Sequence, residues 1–342
     1  MMIDVFNHFV PKPYLDRLGD LIPGHMVLNA FPRLKTLWDV DARRALLDEF
    51  DGLQQVLSLA NPPLELIASA DKTPELARMA NDALAEICRK HPDRFPSFIA
   101  SLPMNNVEAA LKEIDRAVVD LRARGVQIFT NVAGKPLSAP EFKPIFRRMA
   151  AHDLPIWVHP MRGPNTPDYP SEQVSEAEIW FSFGWPYETT ACMTRLIYSK
   201  IFDELPTLKI ITHHMGGMIP YFAGKINLGF RQIFFGTPEH NPAAEGLKQP
   251  PMSYYKRLYA DTALNGEIEP TRCGHAFFGT SACLFATDAP FDCEGGRSLM
   301  RDTIRAVEAL PIPAAERERI FAGNARDLLK LPLGVALARA PA

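Results

Sequence analysis

Short apolar runs alternate with longer amphipathic stretches along this chain, and the alternation predicts its architecture. Runs at 2–6, 54–60, 96–101, 126–130, 155–159, 208–212, 257–261 and 282–287 read as eight strands. The stretch TPELARMANDALAEICRKHP between the second and third predicts a helix, with Thr73 as its cap, Pro74 in its first turn and Pro92 beyond its end. Leu76, Met79, Ala83, Leu84, Ile87 and Cys88 form its apolar stripe. EAALKEIDRAVVDLRARG predicts the next helix, closed by Gly125, and further helices are expected over 140–152, 188–204, 217–232, 268–278, 295–308 and 313–329. A helix over 41–50 returns the chain to the second strand. Repeated strand–helix units predict a parallel α/β sheet, and eight of them favour closure into a (β/α)8 TIM barrel. An open doubly wound sheet has less support, because no Gly-x-Gly-x-x-Gly follows an early strand. The expected organisation is one domain over 1–335. Segments 10–40 and 160–187 are insertions at the barrel mouth, 235–253 is a polar, Pro-rich loop, and 336–342 is a flexible tail.

Composition narrows the function classes. A formal net charge of -3, with no basic block, makes nucleic acid and anionic membranes poor candidate partners. No window approaches the roughly 20 uninterrupted apolar residues of a membrane span. The opening MMIDVF has neither the basic flank nor the length of a secretory signal. The five cysteines are odd in number and spaced like neither a zinc framework nor a redox pair, so a reduced, cytoplasmic protein is expected. The 31 prolines are spread along the chain and suit turns between elements.

Barrel closure would gather the polar residues that follow the strands on one face. These are His8, His159, His213, His214 and Asp288. Alone, each is an ordinary strand-end residue or helix cap; in register they form a donor set for a divalent metal and an acid–base pair near neutral pH. Pro290 argues against Asp288 as a cap, since it breaks the chain before a helix can start. Side-chain alternation predicts that only one of His213 and His214 faces the barrel while its neighbour supports packing. The loop 160–187 carries Met161, Arg162, Tyr169, Trp180, Phe181, Phe183, Trp185 and Tyr187, which suit either a planar apolar substrate or a dimer interface. Arg162, three residues past His159, is a candidate carboxylate clamp.

Five stretches carry a resemblance. They are Ile3-Asp4 running to His8 and Pro11, HPDRFPSFIASLPM at 91–104, PIWVHP at 155–160, HHMGGMIPYFAGKI at 213–226 and FATDAPF at 285–291; the closing GNARDLLKL at 323–331 matches as well. Over nearly its whole length the chain resembles the amidohydrolase-related family of the aminocarboxymuconate-semialdehyde decarboxylase type, which includes the resorcylate and carboxyvanillate decarboxylases. The resemblance implies metal ligands His8, His159 and Asp288. It also implies catalysis by Asp288 and His214, the histidine followed by Met215-Gly216-Gly217. Phe6, Asn7, Arg162, Trp180 and His213 are the candidate substrate contacts. The family's first strand carries two ligands two residues apart. The first is His or Glu in familiar members, and here it is Phe6, which cannot coordinate. Three protein ligands still suffice for one divalent ion, zinc or manganese, and a metal-free site of His159, His214 and Asp288 is the alternative for acid–base chemistry. Phe6 is expected beneath His8 and beside Asp288, with Asn7 turned away from the barrel axis. The implied activity is carbon–carbon lysis, a non-oxidative decarboxylation of a small aromatic or unsaturated carboxylate by a homodimer. A metal-dependent hydrolase of an ester, lactone or amide, or a hydratase, uses the same groups. A non-catalytic binding barrel is the reading that Phe6 alone motivates.

Overall fold

In the computed structural model, which describes residues 1–231 and 245–331, parallel pairing dominates. Strands β1 (Met2–Asp4) and β2 (His8–Phe9) both pair with β3 (Leu53–Leu59), Met2 opposite Leu53 and His8 opposite Ser58. Strand β3 also pairs with β4 (Ser97–Phe98), and β5 (Ala100–Ser101) with β6 (Val126–Phe129). A small antiparallel hairpin, β7 (Asn131–Val132) and β8 (Lys135–Pro136), follows at the mouth. The parallel series then runs through β9 (Ile156–His159), β10 (Ile210–Thr212), β11 (Tyr259–Asp261) and β12 (Cys283–Leu284). With β1 and β2 counted as one interrupted stave, and β4 and β5 as another, the barrel has its eight predicted strands.

Backbone hydrogen bonds close the ring. Val5 N donates to Phe285 O at 3.0 Å, Asp288 N to Phe6 O at 3.1 Å and His8 N to Ala289 O at 2.7 Å. The first predicted strand is therefore split. Val5 N and Phe6 O bond the stretch from Phe285 to Asp288, while β1 and β2 on either side pair with β3. Trp157 fills the barrel interior with Ile3, Val5, Val56, Ile99, Ile211 and Leu284. Gly125 makes this possible, because a Cβ there would lie 2.4 Å from the Trp157 ring. A second apolar layer, including Leu57, Phe98, Val126 and Ile210, packs the outside of the strands against the helices.

Thr73 opens the helix Thr73–Lys90 without capping it; its hydroxyl instead donates to Asn105 Oδ1 at 2.6 Å. The helix expected over 217–232 begins later, as Ala223–Arg231, after a glycine turn at 216–217. Residue 232, positions 235–244 of the predicted loop and the predicted tail 336–342 lie outside the described residues. Within segment 10–40, Tyr14, Leu15, Leu18, Phe31 and Leu37 pack on Leu76, Ala77 and Ala80, and Thr36 Oγ1 donates to Gly295 O at 2.8 Å. This segment is anchored on the helix Thr73–Lys90. Among the described residues no helix is long and apolar enough to cross a membrane.

Candidate active site

Four imidazoles and a carboxylate converge at the mouth. His8 Nε2 lies 2.8 Å from Asp288 Oδ1, and His214 Nε2 lies 3.4 Å from Asp288 Oδ2. The His159 ring centre is 5.7 Å from that of His8, 5.4 Å from His213 and 6.1 Å from His214. That both tandem histidines reach the cluster corrects the expectation of a single inward-facing ring. Strand β10 ends at Thr212, and His214 and Met215 both take the left-handed backbone conformation, with φ of 52° each. Strand alternation therefore stops before it can separate the two rings.

Asp261 holds this turn. One carboxylate oxygen bonds His213 Nδ1, and the other accepts His214 N at 2.9 Å. The sequence reading missed Asp261, although it ends the predicted strand 257–261 much as His159 ends its own.

A buried lattice supports the opposite side. Asp4 accepts hydrogen bonds from Phe6 N, Thr287 N, Thr287 Oγ1 and Gln55 Nε2, at 3.2, 3.1, 2.7 and 2.8 Å. Burial raises its carboxyl to about 6, against these hydrogen bonds. Arg43, on the helix Val40–Leu47, donates to His8 O at 2.6 Å, Gln55 Oε1 at 3.0 Å and Thr36 O at 2.7 Å. Asp4 thus ties strand 1 to the segment carrying Asp288, and Arg43 pins the backbone of His8.

The environment separates the protonation states. Burial drives His159 well below the ordinary imidazole value, and neighbouring His213, His8 and His214 push the same way. Burial also lowers His213, with Asp261 opposing. For His214 burial works against the charge, but Asp288 and Asp261 outweigh it and its pKa rises. Burial likewise opposes ionisation of Asp288, yet His214 and His8 hold it well below the usual carboxylate range. The cluster therefore favours an ionised Asp288 beside a proton-bearing His214, with His159 and His213 neutral.

Phe6 is wholly buried and forms the floor, its ring centre 3.7 Å from His213, 4.9 Å from His8 and 5.6 Å from His159. Asp288 N bonds its carbonyl, so it lies beside both residues as expected. Trp185 stands 5.3 Å from His159 and 6.4 Å from His214, and Phe291 stands 5.1 Å from His8. Trp180 lies one ring further out, 5.8 Å from Trp185. Asn7 is buried and its Nδ2 donates to Val56 O at 3.1 Å, which turns that end of the amide to the sheet. Arg162 pairs with Glu188 at 3.6 Å and lines a separate cavity of about 670 Å³, to which none of His8, His159, His214 and Asp288 contributes. The structure therefore brings neither Asn7 nor Arg162 to the histidine cluster.

Among the described residues, no three His, Cys, Asp or Glu side chains stand gathered as ligands around one point. Asp288 instead directs its oxygens at His8 and His214. The donor chemistry nevertheless fits a divalent ion. His159 donates Nδ1–H to Pro160 O at 2.7 Å, which leaves a buried Nε2 with no partner. An imidazole anchored on one nitrogen and bare on the other is prepared to coordinate.

A family model described as Amidohydrolase matches residues 38–331. The chain belongs to the amidohydrolase family. This amidohydrolase is 32% identical over 336 residues to a gamma-resorcylate decarboxylase of Rhizobium sp. (strain MTP-10005), covering 95% of this chain and 97% of that protein. A 2,6-dihydroxybenzoate decarboxylase solved with 2,6-dihydroxybenzoate superposes with a TM-score of 0.78 at 28% identity, covering 96% of this chain and 99% of the other. A dihydroxybenzoic acid decarboxylase from Polaromonas sp. JS666, solved with manganese and the inhibitor 2-nitroresorcinol, gives 0.77 at 28% identity, covering 98% and 99%. The resemblance read from the sequence holds, and the chain is an enzyme of this family.

Proposed function

We propose that this protein is a non-oxidative decarboxylase of a small aromatic carboxylic acid. The observation that carries the reading is Asp288 held between His8 and His214, with Phe291 and Trp185 standing against those two histidines. Loss of carbon dioxide from an arene acid requires a proton at the ring carbon that bears the carboxylate. His214 holds that proton toward Asp288, and Asp288 passes it to the carbon. The carbon–carboxylate bond then breaks, its electron pair restores the aromatic ring, and carbon dioxide leaves. His214 regains a proton from solvent. His8, His159 and Asp288 would hold one divalent ion, manganese or zinc, which supplies positive charge for the substrate's carboxylate and an adjacent oxygen. Manganese in the Polaromonas decarboxylase supports this reading.

Two further features complete the proposal. Phe181, Phe183, Tyr187, Tyr221 and Phe222 are exposed, and we infer a homodimer that covers such aromatics, testable by light scattering. All five cysteines are free, which supports a cytoplasmic setting.

The activity test supplies purified enzyme with Mn²⁺ or Zn²⁺ and a panel of hydroxybenzoates that includes 2,6-dihydroxybenzoate. Carbon dioxide release matched by the decarboxylated arene is expected. Hydrolysis of aryl esters or lactones, with no carbon dioxide from any acid, overturns the reading in favour of a hydrolase.

A further inference from the structure

The resemblance implies a ligand at the place that Phe6 occupies, so strand 1 offers one donor fewer than expected. Another strand brings an unassigned donor to that place. The His213 ring centre lies 3.7 Å from that of Phe6 and 5.4 Å from that of His159. His213 is wholly buried, its Nδ1 bonds the equally buried Asp261, and its Nε2 has no protein partner.

A histidine kept only for packing would not need a buried carboxylate behind it and would not leave a nitrogen bare. Buried polar atoms are almost always paired, so an orphaned one calls for an explanation. A carboxylate on Nδ1 favours the tautomer with its proton there and a free lone pair on Nε2, the arrangement that commonly backs a metal-bound histidine. His159 repeats it, with Nδ1 on Pro160 O and a bare Nε2. Two imidazoles sharing one tetrahedral ion stand with ring centres roughly 5 Å apart. The separations of 5.4 Å for His159 and His213 and 5.7 Å for His8 and His159 suit that demand. His214 differs, because its Nε2 is directed at Asp288.

We propose that His213 is a ligand of the divalent ion, delivered from the end of β10 in place of the donor that Phe6 removes from strand 1, with Asp261 orienting it. The proposal rests on the metal-dependent reading above and extends it to a ligand set of His8, His159, His213 and Asp288.

The test reads metal binding directly. Chelator-stripped protein is titrated with Mn²⁺ by calorimetry, as wild type, His159→Gln, His213→Gln and Asp261→Asn. His213→Gln is expected to weaken binding at least tenfold, and Asp261→Asn about 10- to 100-fold through the ring it orients. Folding of each variant is checked by circular dichroism. If His213→Gln fails to fold, the wild type decides alone. Loaded with Co²⁺, it should show three paramagnetically shifted, exchangeable imidazole N–H signals, from His8, His159 and His213. Only two signals overturn the proposal, as does a folded His213→Gln that binds like wild type while His159→Gln loses the metal. Both of those results leave the decarboxylase reading intact. A wild type that binds no divalent ion, or a His159→Gln that binds unchanged, overturns this proposal together with the metal-dependent reading beneath it.

Discussion

Replacing Arg43 with methionine tests whether the buried lattice under His8 holds the site together. The substitution keeps an unbranched apolar stem and removes three hydrogen bonds, to His8 O, Gln55 Oε1 and Thr36 O. Each orphaned buried acceptor costs about 1–3 kcal/mol. The three losses share one side chain and do not add in full, so we expect a destabilisation of about 4 kcal/mol. At roughly 2.1 cal/mol/K per residue, unfolding entropy for a chain of this length is about 0.7 kcal/mol/K, so Tm should fall by about 6 °C. Thermal and urea unfolding at pH 7.5 measure it, with Arg43→Lys as the intermediate case that keeps the charge and part of the bonding. Because Arg43 pins the His8 carbonyl, Mn²⁺ affinity should fall in parallel. A methionine variant within about 1 kcal/mol of wild type, with unchanged Mn²⁺ affinity, would refute the reasoning. Arg43 would then be a tolerated buried charge, of the kind that apolar residues can replace.

Three other outcomes follow from the same geometry. Asp288→Asn should lower turnover by about 10²- to 10⁴-fold with little change in thermal unfolding, as expected of a proton-transfer group; near-normal turnover with lowered stability would make Asp288 a structural residue. In a His213→Gln background, Phe6→His should restore divalent-metal binding where a crystal structure of the double variant shows the new ring facing the site. An inward-facing imidazole that restores no affinity refutes the exchange of one donor for the other. Asp4 titrates near 6 in the fold against an ordinary 3.8, so the native state binds its proton more tightly than the unfolded chain does. Its contribution to stability is therefore fully present below about 4 and lost as pH rises through about 6, a swing of roughly 3 kcal/mol. The unfolding free energy of wild type minus that of Asp4→Asn, measured from pH 7.5 down to 4, should rise accordingly, and a flat difference contradicts the assignment.

The barrel was legible because its strands and helices repeat with clear periods. The helix Ile268–Phe278 falls where its pattern placed it, and His8, His159, His214 and Asp288 meet because barrel topology alone sends strand ends to one face. Backbone conformation was harder to read. Two-residue alternation allowed only one of His213 and His214 an inward ring, but the left-handed turn at His214 and Met215 cancels it, and periodicity cannot register such a turn even with Gly216-Gly217 following. Arg162 and Trp180 sit in a loop without a period, so closeness in sequence to His159 said little about where their side chains go. Arg43 had no signature at all: an arginine on an amphipathic helix reads as a solvated charge until the sheet beneath it is known.

The seam between the first and last strands also bears on how the protein is made. His8 and Asp288 meet across 280 residues of chain, so the two halves of the reactive centre join only when β12 has left the ribosome. Until then β1 and β2 present a free parallel edge, a template for pairing with other chains. Closing that edge is among the most non-local contacts the polypeptide makes, and such contacts form slowly. Catalytic competence and protection from aggregation are therefore acquired in the same late event. A nascent or truncated chain lacking the last stave would be both inert and adhesive.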